Sequence, residues 1–188
     1  MVADHAARRH DIYKAWMIFV LHADALSIRR IESADNGRMK SIIQHGLASF
    51  GLDVPGTAYY DPQLGALSDF YDAPTSELGR AYFVVIDSDD HVLGGAGYAH
   101  FSGLGPEIAE LQKLYISPQG QGSGASYRLI DCVERAARSD GYRQLYLETH
   151  HALVAAMHVY ERCGFTQLAT PLATPDHLTM DRFYLKSL

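Results

Sequence analysis

The chain has 188 residues, of which 47% are hydrophobic and 20% are charged, and its formal net charge is -6. This length and composition are typical of one globular domain and exclude a largely disordered chain. The basic residues are scattered along the sequence, which argues against a nucleic-acid partner, because binding to phosphates needs a concentrated basic surface.

The N-terminus bears a weak likeness to a secretory signal peptide. Arg8 and Arg9 precede an apolar run at 15–21. This run is far shorter than the ~20 apolar residues that a membrane span needs, and no disulfide framework follows it. We therefore expect a loosely ordered extension over 1–25, then a single domain over 26–188, in the cytoplasm and without a membrane partner.

The first third of the domain is predicted to contain a strand and a helix. Strand formers occupy 26–32, and apolar residues then recur at spacings of three and four through 39–50, which places them on one helical face. Gly51 can end this helix in a left-handed turn. The segment 52–79 is rich in proline, tyrosine and glycine, with a short helix predicted at 62–71, and we expect it to face the acceptor substrate.

The middle of the chain predicts an antiparallel hairpin. Its two strands are expected at 81–86 and 92–101, with a polar turn between them. Gly94, Gly95 and Gly97 interrupt the second strand, so a β-bulge or a close approach of another backbone is expected there.

The remaining pattern predicts alternating strands and helices, including a parallel strand-helix-strand crossover. These elements are expected in chain order at 108–116 (strand), 123–139 (helix), 143–148 (strand), 152–162 (helix), 165–168 (strand) and 178–185 (strand).

A glycine-rich turn joins the strand at 108–116 to the helix that follows. Its sequence is Gln119-Gly120-Gln121-Gly122-Ser123-Gly124. Glycines allow positive φ angles and bring backbone N–H groups close to a ligand, and the unpaired N–H groups of a helix's first turn carry partial positive charge. The expected ligand is an anion, above all a phosphate.

The turn alone is compatible with other interpretations. It can be a flexible turn without a ligand, or a dinucleotide site, because Gly120, Gly122 and Ala125 fit the GxGxx(G/A) spacing and Glu148 ends the next strand where a ribose-binding acid would stand. The preceding hairpin and the short chain after Glu148 argue against a dinucleotide fold. A P-loop is poorly supported, because the turn lacks the lysine followed by serine or threonine that a P-loop requires.

The turn and its flanks resemble the GCN5-related N-acetyltransferase (GNAT) superfamily. That superfamily has a (Q/R)xxGx(G/A) turn, here Gln119xxGly122xGly124. The resemblance extends to Glu110-Leu-Gln-Lys-Leu-Tyr-Ile116 before the turn and to Tyr160-Glu-Arg-Cys-Gly-Phe165 after the next strand, and it covers 26–188.

The resemblance implies the GNAT fold, an α/β (mixed α+β) architecture. Its central mixed sheet would have about six to seven strands, with one parallel pair splayed around acetyl-CoA and about four flanking helices. Tyr146-Leu-Glu-Thr149 and Thr174-Pro-Asp-His177 further resemble a bacterial subgroup of small acetyltransferases.

The resemblance also implies where acetyl-CoA binds. Backbone amides of the turn would hold its pyrophosphate, and the end of the strand at 108–116 would pair with its pantetheine arm. Many members carry an asparagine seven residues before the tyrosine at 160, where this chain has Leu153, so one side-chain contact is missing. The implied cofactor-binding residues are Leu114, Tyr115, Ile116, Gln121, Gly122, Ser123, Gly124 and Ala125.

Acyl transfer from a thioester to an amine needs a deprotonated amine, stabilisation of a tetrahedral oxyanion and a proton for the departing thiolate. The resemblance implies Glu110 as the base, acting through water, and Tyr160 as the acid that protonates the CoA thiolate. The alternatives are that Glu110 solvates a strand end or makes an ion pair with Lys113 or an arginine, and that Tyr160 only packs.

Three histidines are candidates for the substrate pocket. His150 and His151 follow the second parallel strand, and His177 precedes the last strand. A histidine there could act as a base or bind an acidic group, although an exposed loop pair is the alternative. Neither the histidines nor Cys132 and Cys163 have a spacing that predicts a metal site, and none is expected.

The predicted function is that of an acetyl-CoA-dependent acyltransferase acting on an amine, or on a hydroxyl, of a small-molecule acceptor. One alternative is a non-catalytic CoA-binding or regulatory module of the same fold. Another is a toxin-like enzyme that acetylates charged tRNA, against which the net charge of -6 argues. Dimers are frequent in the superfamily, so the resemblance also implies a homodimer.

Overall fold

The structure is a computed structural model that describes residues 26–73, 78–101, 103–174 and 178–188. The predicted extension over 1–25 and His177 lie outside these ranges. Within them, every helix is too short or too polar to cross a membrane.

The described residues form one sheet of seven strands. Its members are β1 (Ser27–Arg30), β2 (Ala81–Ile86), β3 (Val92–His100), β4 (Ile108–Ile116), β5 (Gln144–Thr149), β6 (Thr166–Leu168) and β7 (Arg182–Ser187). They lie in the order β1-β2-β3-β4-β5-β7-β6. Only β4 and β5 are parallel neighbours in this sheet; the other pairs are antiparallel. The mixed sheet with one parallel pair confirms the predicted fold class.

In the described part of the chain, four α-helices cover the two faces of this sheet. They are α1 (Asn36–Ala48), α2 (Leu67–Asp72), α3 (Ala125–Ser139) and α4 (Val154–Arg162). Alternate residues of β2 point to opposite faces: Tyr82 and Val84 join the core under α1 and α2, whereas Ala81 and Val85 join the core under α3. The molecule therefore has two hydrophobic layers, one on each side of the sheet.

Two predicted element starts were wrong, the first of them for a local reason. The helix expected from Ser123 begins at Ala125, because Gly124 caps it in the left-handed conformation, with φ +79. The Ser123 hydroxyl donates instead to the Gly120 carbonyl, at 2.6 Å. The strand expected at 178–185 is β7, which begins only at Arg182, four residues later.

The glycines of β3 coincide with the predicted bulge. Gly95 pairs with Tyr115 and Gly97 pairs with Gln112, so β4 has one residue more than β3 over this stretch. Lys113, in the bulge, has a φ of +52. Bulges redirect side chains near functional sites, and here the bulge lies on the strand that carries Glu110.

Gly95 and Gly97 also make room for a buried tyrosine. A Cβ at Gly95 would lie 2.5 Å from Tyr82 Cε1, and one at Gly97 would lie 2.6 Å from Tyr82 Cδ2. The Tyr82 hydroxyl donates to the Lys113 carbonyl at 2.8 Å. The glycine-rich strand thus admits a ring that holds the bulge of β4.

Candidate active site

The two parallel strands separate partway along their length. They pair at Ile108 with Gln144, at Ala109 with Leu145 and at Glu110 with Tyr146. β4 then continues to Ile116 and β5 to Thr149 without further pairing between them. The result is an opening with Glu110 at its narrow end, bordered by the predicted cofactor residues Leu114 to Ile116.

The glycine-rich turn lies at the far end of β4, where α3 begins. Gly122 and Gly124 have φ angles of +75 and +79, and a Cβ on either would meet no atom within 4 Å. In the described part of the chain, the N–H groups of Gln121 to Gly124 donate no backbone hydrogen bond. Exposed N–H groups at the start of a 15-residue helix are suited to binding an anion.

A cavity of about 640 Å³ lies beside β4. Residues of the segment 52–79 contribute to its wall, together with β4 and the end of β3. That this segment faces the acceptor substrate stays a prediction. Carboxylates outnumber cations slightly in the described wall. Its polar side chains include Tyr60, Asp61, Gln63, Arg80, His100, Glu110, Gln112, Lys113, Tyr115 and Glu148.

Glu110 is held by a side chain that sequence analysis did not single out. Gln112 Nε2 donates to Glu110 Oε2 at 2.6 Å. The hydroxyl of Tyr71, on α2, donates to Gln112 Oε1 at 2.7 Å. Burial raises the pKa of Tyr71 well above its usual value, and the charges of Glu110 and Asp61 raise it further. The sequence signal was only that Gln112 stands two residues after Glu110 and so shares its face of the strand.

Lys113 does not pair with Glu110, which was one of the alternatives. Its Nζ lies 2.6 Å from Asp61 Oδ2, and both side chains are largely buried, with exposed fractions of 6% and 14%. This pair ties the cavity segment 52–79 to the bulge of β4. A pairing across 52 positions leaves no pattern in a single sequence, so this ion pair was missed.

Glu148 also lines the cavity, close to the end of β5. Tyr146 donates to Glu148 Oε1 at 2.8 Å. Burial raises the pKa of Tyr146 above its usual value, and the hydrogen bond and charge of Glu148 raise it further. The acid that could have been mistaken for a ribose-binding group therefore stands in the same cavity wall as Glu110.

Tyr160 is buried on α4, with an exposed fraction of 7%. Its ring centroid lies 6.0 Å from those of Phe165 and Tyr184. Burial raises the pKa of Tyr160 above its usual value, and the charges of Tyr184 and Cys163 add to that effect. Its hydroxyl therefore stays protonated at neutral pH and can donate. Burial also raises the pKa of Tyr115 at the end of β4, and the charge of Tyr160 raises it further.

The histidine pair lies beyond the end of β5 and is not part of the described cavity wall. The rings of His150 and His151 stack with centroids 4.1 Å apart. His151 Nδ1 lies 2.7 Å from Asp181 Oδ2, and the Ala152 N–H donates to His150 Nδ1 at 3.2 Å. The predicted substrate role of the pair stays a prediction, and His177 lies outside the described residues.

The hydrogen bond to His150 Nδ1 affects whether the histidine pair could bind a metal ion. Possible ligand atoms of His150, His151 and Asp181 lie within 4.8 Å of one another, and the same holds for Asp87, Asp89 and His91. Because His150 Nδ1 accepts the Ala152 N–H, a neutral ring carries its proton on Nε2 and offers neither nitrogen readily to a cation.

Comparison with known proteins agrees with this geometry. Residues 52–165 match the acetyltransferase (GNAT) family. The chain is 33% identical over 162 residues to the uncharacterised N-acetyltransferase YjgM of Escherichia coli K12, covering 86% of this chain and 94% of that protein.

Solved structures show the same fold. An acetyltransferase of the GNAT family from Staphylococcus aureus Mu50 matches with a TM-score of 0.74 at 17% identity, over 87% of this chain and 99% of that one. The yncA protein of Salmonella typhimurium, solved with acetyl-CoA, matches with a TM-score of 0.67 at 20% identity, over 87% and 94%. The family match spans more than half of the chain and the bacterial relative spans most of it, so this chain belongs to the GNAT family of acetyltransferases.

Proposed function

We propose that this chain transfers the acetyl group of acetyl-CoA directly to an amine of a small-molecule acceptor, with Glu110 as the base and Tyr160 as the acid. One observation carries the proposal: Glu110 stands at the narrow end of the β4–β5 opening and also lines the cavity. A carboxylate in that position reaches both the place where the cofactor would end and the place where an acceptor would lie.

The residues of the opening fit acetyl-CoA, the acetyl donor of this family. The N–H groups of Gln121 to Gly124 are available to a pyrophosphate, and the left-handed Gly122 and Gly124 carry no side chain to obstruct it. The edge of β4 beyond Glu110 has no strand partner on the β5 side within the described residues, so it can pair with an extended arm. When bound, acetyl-CoA supplies an acetyl group activated as a thioester.

Proton transfer is assigned to two side chains. Glu110 accepts the proton of the acceptor's ammonium through a water molecule, which leaves the amine able to attack. Tyr160 donates its hydroxyl proton to the departing sulfur, and its raised pKa keeps that proton in place until it is needed. The attacking nitrogen loses its second proton as the amide forms, and this proton returns to the Tyr160 phenolate through water. If Tyr160 only packs in the core, its hydroxyl proton takes no part in the reaction.

The cavity favours a small cationic amine. Its volume of about 640 Å³ suits a small molecule, and Asp61, Glu110 and Glu148 all contribute carboxylates to its wall. Lys113 neutralises Asp61, which leaves Glu110 and Glu148 as the acidic end nearest the opening. An amine that arrives protonated would be attracted to this end and would lose its proton to Glu110.

The test is acetyl transfer from acetyl-CoA to a panel of small amines and alcohols, detected by mass spectrometry. Glu110→Gln should lower kcat/KM by about 10²- to 10⁴-fold. Glu107→Gln is the matched control, because Glu107 is exposed just before β4, and it should leave the rate unchanged. A wild-type chain that binds acetyl-CoA and acetylates nothing in the panel would instead favour the non-catalytic CoA-binding module.

A further inference from the structure

Two hydrogen bonds connect helix α2 to the carboxylate of Glu110. We propose that Tyr71 and Gln112 are positioning residues, which fix the direction of the Glu110 carboxylate and stabilise its ionised form. This inference rests on the proposed role of Glu110 as the base. The two bonds are Tyr71 hydroxyl to Gln112 Oε1, at 2.7 Å, and Gln112 Nε2 to Glu110 Oε2, at 2.6 Å.

The chemistry of the three groups allows only one direction for this chain of bonds. An ionised carboxylate can only accept, so the amide N–H₂ of Gln112 must face Glu110. The amide oxygen then faces Tyr71, whose hydroxyl must donate. A tyrosine that keeps its proton is the partner that holds the amide in this orientation, because a flipped amide would set two oxygens against each other.

The tyrosine itself is rigidly placed. Tyr71 has an exposed fraction of 2%, and its ring centroid lies 5.2 Å from that of Tyr82 and 4.9 Å from that of Phe70. Tyr82 in turn holds the Lys113 carbonyl, one residue after Gln112. The backbone and the side-chain amide of the Gln112 region are thus held by two packed tyrosines from α2 and β2.

Other charged groups near Glu110 also affect its ionisation, so the substitutions in the test must not alter them. The described ionisable groups that share the cavity wall with Glu110, or that feel its charge, are Tyr60, Asp61, Tyr71, Arg80, His100, Lys113, Tyr115, Tyr146 and Glu148. The negative charge of Glu148 disfavours ionisation of Glu110, and the cations favour it. Substitutions at Gln112 and Tyr71 change none of the charged groups, so a difference in Glu110 titration reports the two hydrogen bonds.

The experiment is a ¹³C NMR titration of the glutamate side-chain carboxyl carbons, with the Glu110 signal identified by its loss in Glu110→Gln. A hydrogen bond to the ionised form lowers a carboxyl pKa, so removing it raises the titration midpoint. Gln112→Met, which keeps the shape but cannot donate, should raise the Glu110 midpoint by about one pH unit or more. Tyr71→Phe should raise it in the same direction by less.

Tyr98→Phe is the matched control. Tyr98 is equally buried, and its hydroxyl donates to Asp140 Oδ2 at 2.6 Å, but it belongs to the core on the α3 face of the sheet. It should lose comparable stability and leave the Glu110 midpoint in place. The proposal is overturned if Gln112→Met does not raise the midpoint, or if Tyr98→Phe raises it as much as Tyr71→Phe.

The titration needs no acceptor, so its result is independent of the proposed acetyl transfer. A midpoint that moves as expected in a chain that acetylates no amine would support the positioning and reject the function. With an amine that the wild type accepts, Gln112→Met should lower kcat by about tenfold or more and leave the KM for acetyl-CoA unchanged, because the amide bonds to Glu110 and Tyr71 and lies outside the predicted cofactor-binding residues. An effect on that KM alone would contradict the assignment.

Discussion

Glu110 on β4 and Tyr146 on β5 are the last residues at which the two parallel strands lie side by side. Beyond this pair the strands separate, and Tyr146 donates to Glu148 while Gln112 donates to Glu110. The point of separation therefore carries two carboxylates, each held by a hydrogen-bond donor. The opening between β4 and β5 and the cavity beside β4 meet at this point.

Removal of the Tyr160 hydroxyl tests the assigned acid. Tyr160→Phe should lower kcat by about 10²-fold or more with little change in the KM for acetyl-CoA, because the hydroxyl acts on the departing sulfur. Tyr184→Phe, which removes the hydroxyl of the neighbouring ring, should leave kcat unchanged. Since the pKa of Tyr160 is raised above its usual value of 10.0, the wild-type kcat should show no alkaline fall from this group between about pH 7 and 9. Equal rates for the two variants would remove Tyr160 from the mechanism.

Any side chain at Gly124 is expected to lower the stability of the chain. Gly124→Ala should reduce stability by about 1 to 2 kcal/mol, because φ +79 is strained for any residue with a Cβ even though the space is open. It should also weaken acetyl-CoA binding several-fold by displacing the turn's N–H groups. Gly37→Ala, in helix α1 with equally open space, should be neutral or stabilising. Calorimetric titration measures the acetyl-CoA affinity of both variants, and urea unfolding measures their stability. Similar acetyl-CoA affinities for Gly124→Ala and Gly37→Ala would contradict the assigned pyrophosphate site.

Gly97 on β3 should be sensitive for a different reason. A Cβ there would lie 2.6 Å from Tyr82 Cδ2 and 2.7 Å from the Ala81 carbonyl oxygen, so Gly97→Ala should reduce stability by about 2 kcal/mol or more. Gly65→Ala, where a Cβ meets nothing within 4 Å, provides the comparison. Urea unfolding measures both, and an unchanged midpoint for Gly97→Ala would refute the packing argument.

The buried ion pair between Lys113 and Asp61 gives a double-mutant test. Asp61→Asn leaves the Lys113 ammonium buried without its partner and should reduce stability by about 3 kcal/mol. Adding Lys113→Met removes the stranded charge and should restore a large part of that loss. If the double variant loses as much stability as Asp61→Asn and Lys113→Met lose together when measured singly by urea unfolding, the pair is not coupled.

Local patterns in the sequence account for the frame of this site. The glycine spacing, the apolar periodicity of α1 and α3 and the strand formers between them place the turn after a hairpin and before a crossover. The bulge was also predictable, because three glycines in β3 remove the side chains that would hold a regular pairing. The family resemblance resting on Gln119 to Gly124 is confirmed by the match over 52–165.

Contacts between distant residues could not be predicted. Tyr71 and Gln112 are 41 positions apart, and Lys113 and Asp61 are joined only when the segment 52–79 folds over β4. The start of the last strand was predicted wrongly for a related reason. Asp181 donates its N–H to the Thr149 carbonyl, and β7 begins only after this residue. In the sheet, β7 lies between β5 and β6. The pattern of apolar residues in the sequence does not distinguish a strand that starts at Arg182 from one that starts earlier.

Isothermal titration of the wild-type chain with acetyl-CoA tests the central claim most directly, because every assigned role depends on the opening between β4 and β5. We expect saturable binding of one acetyl-CoA per chain, weakened in Gly124→Ala and retained in Glu110→Gln. The absence of binding at millimolar acetyl-CoA would contradict the account.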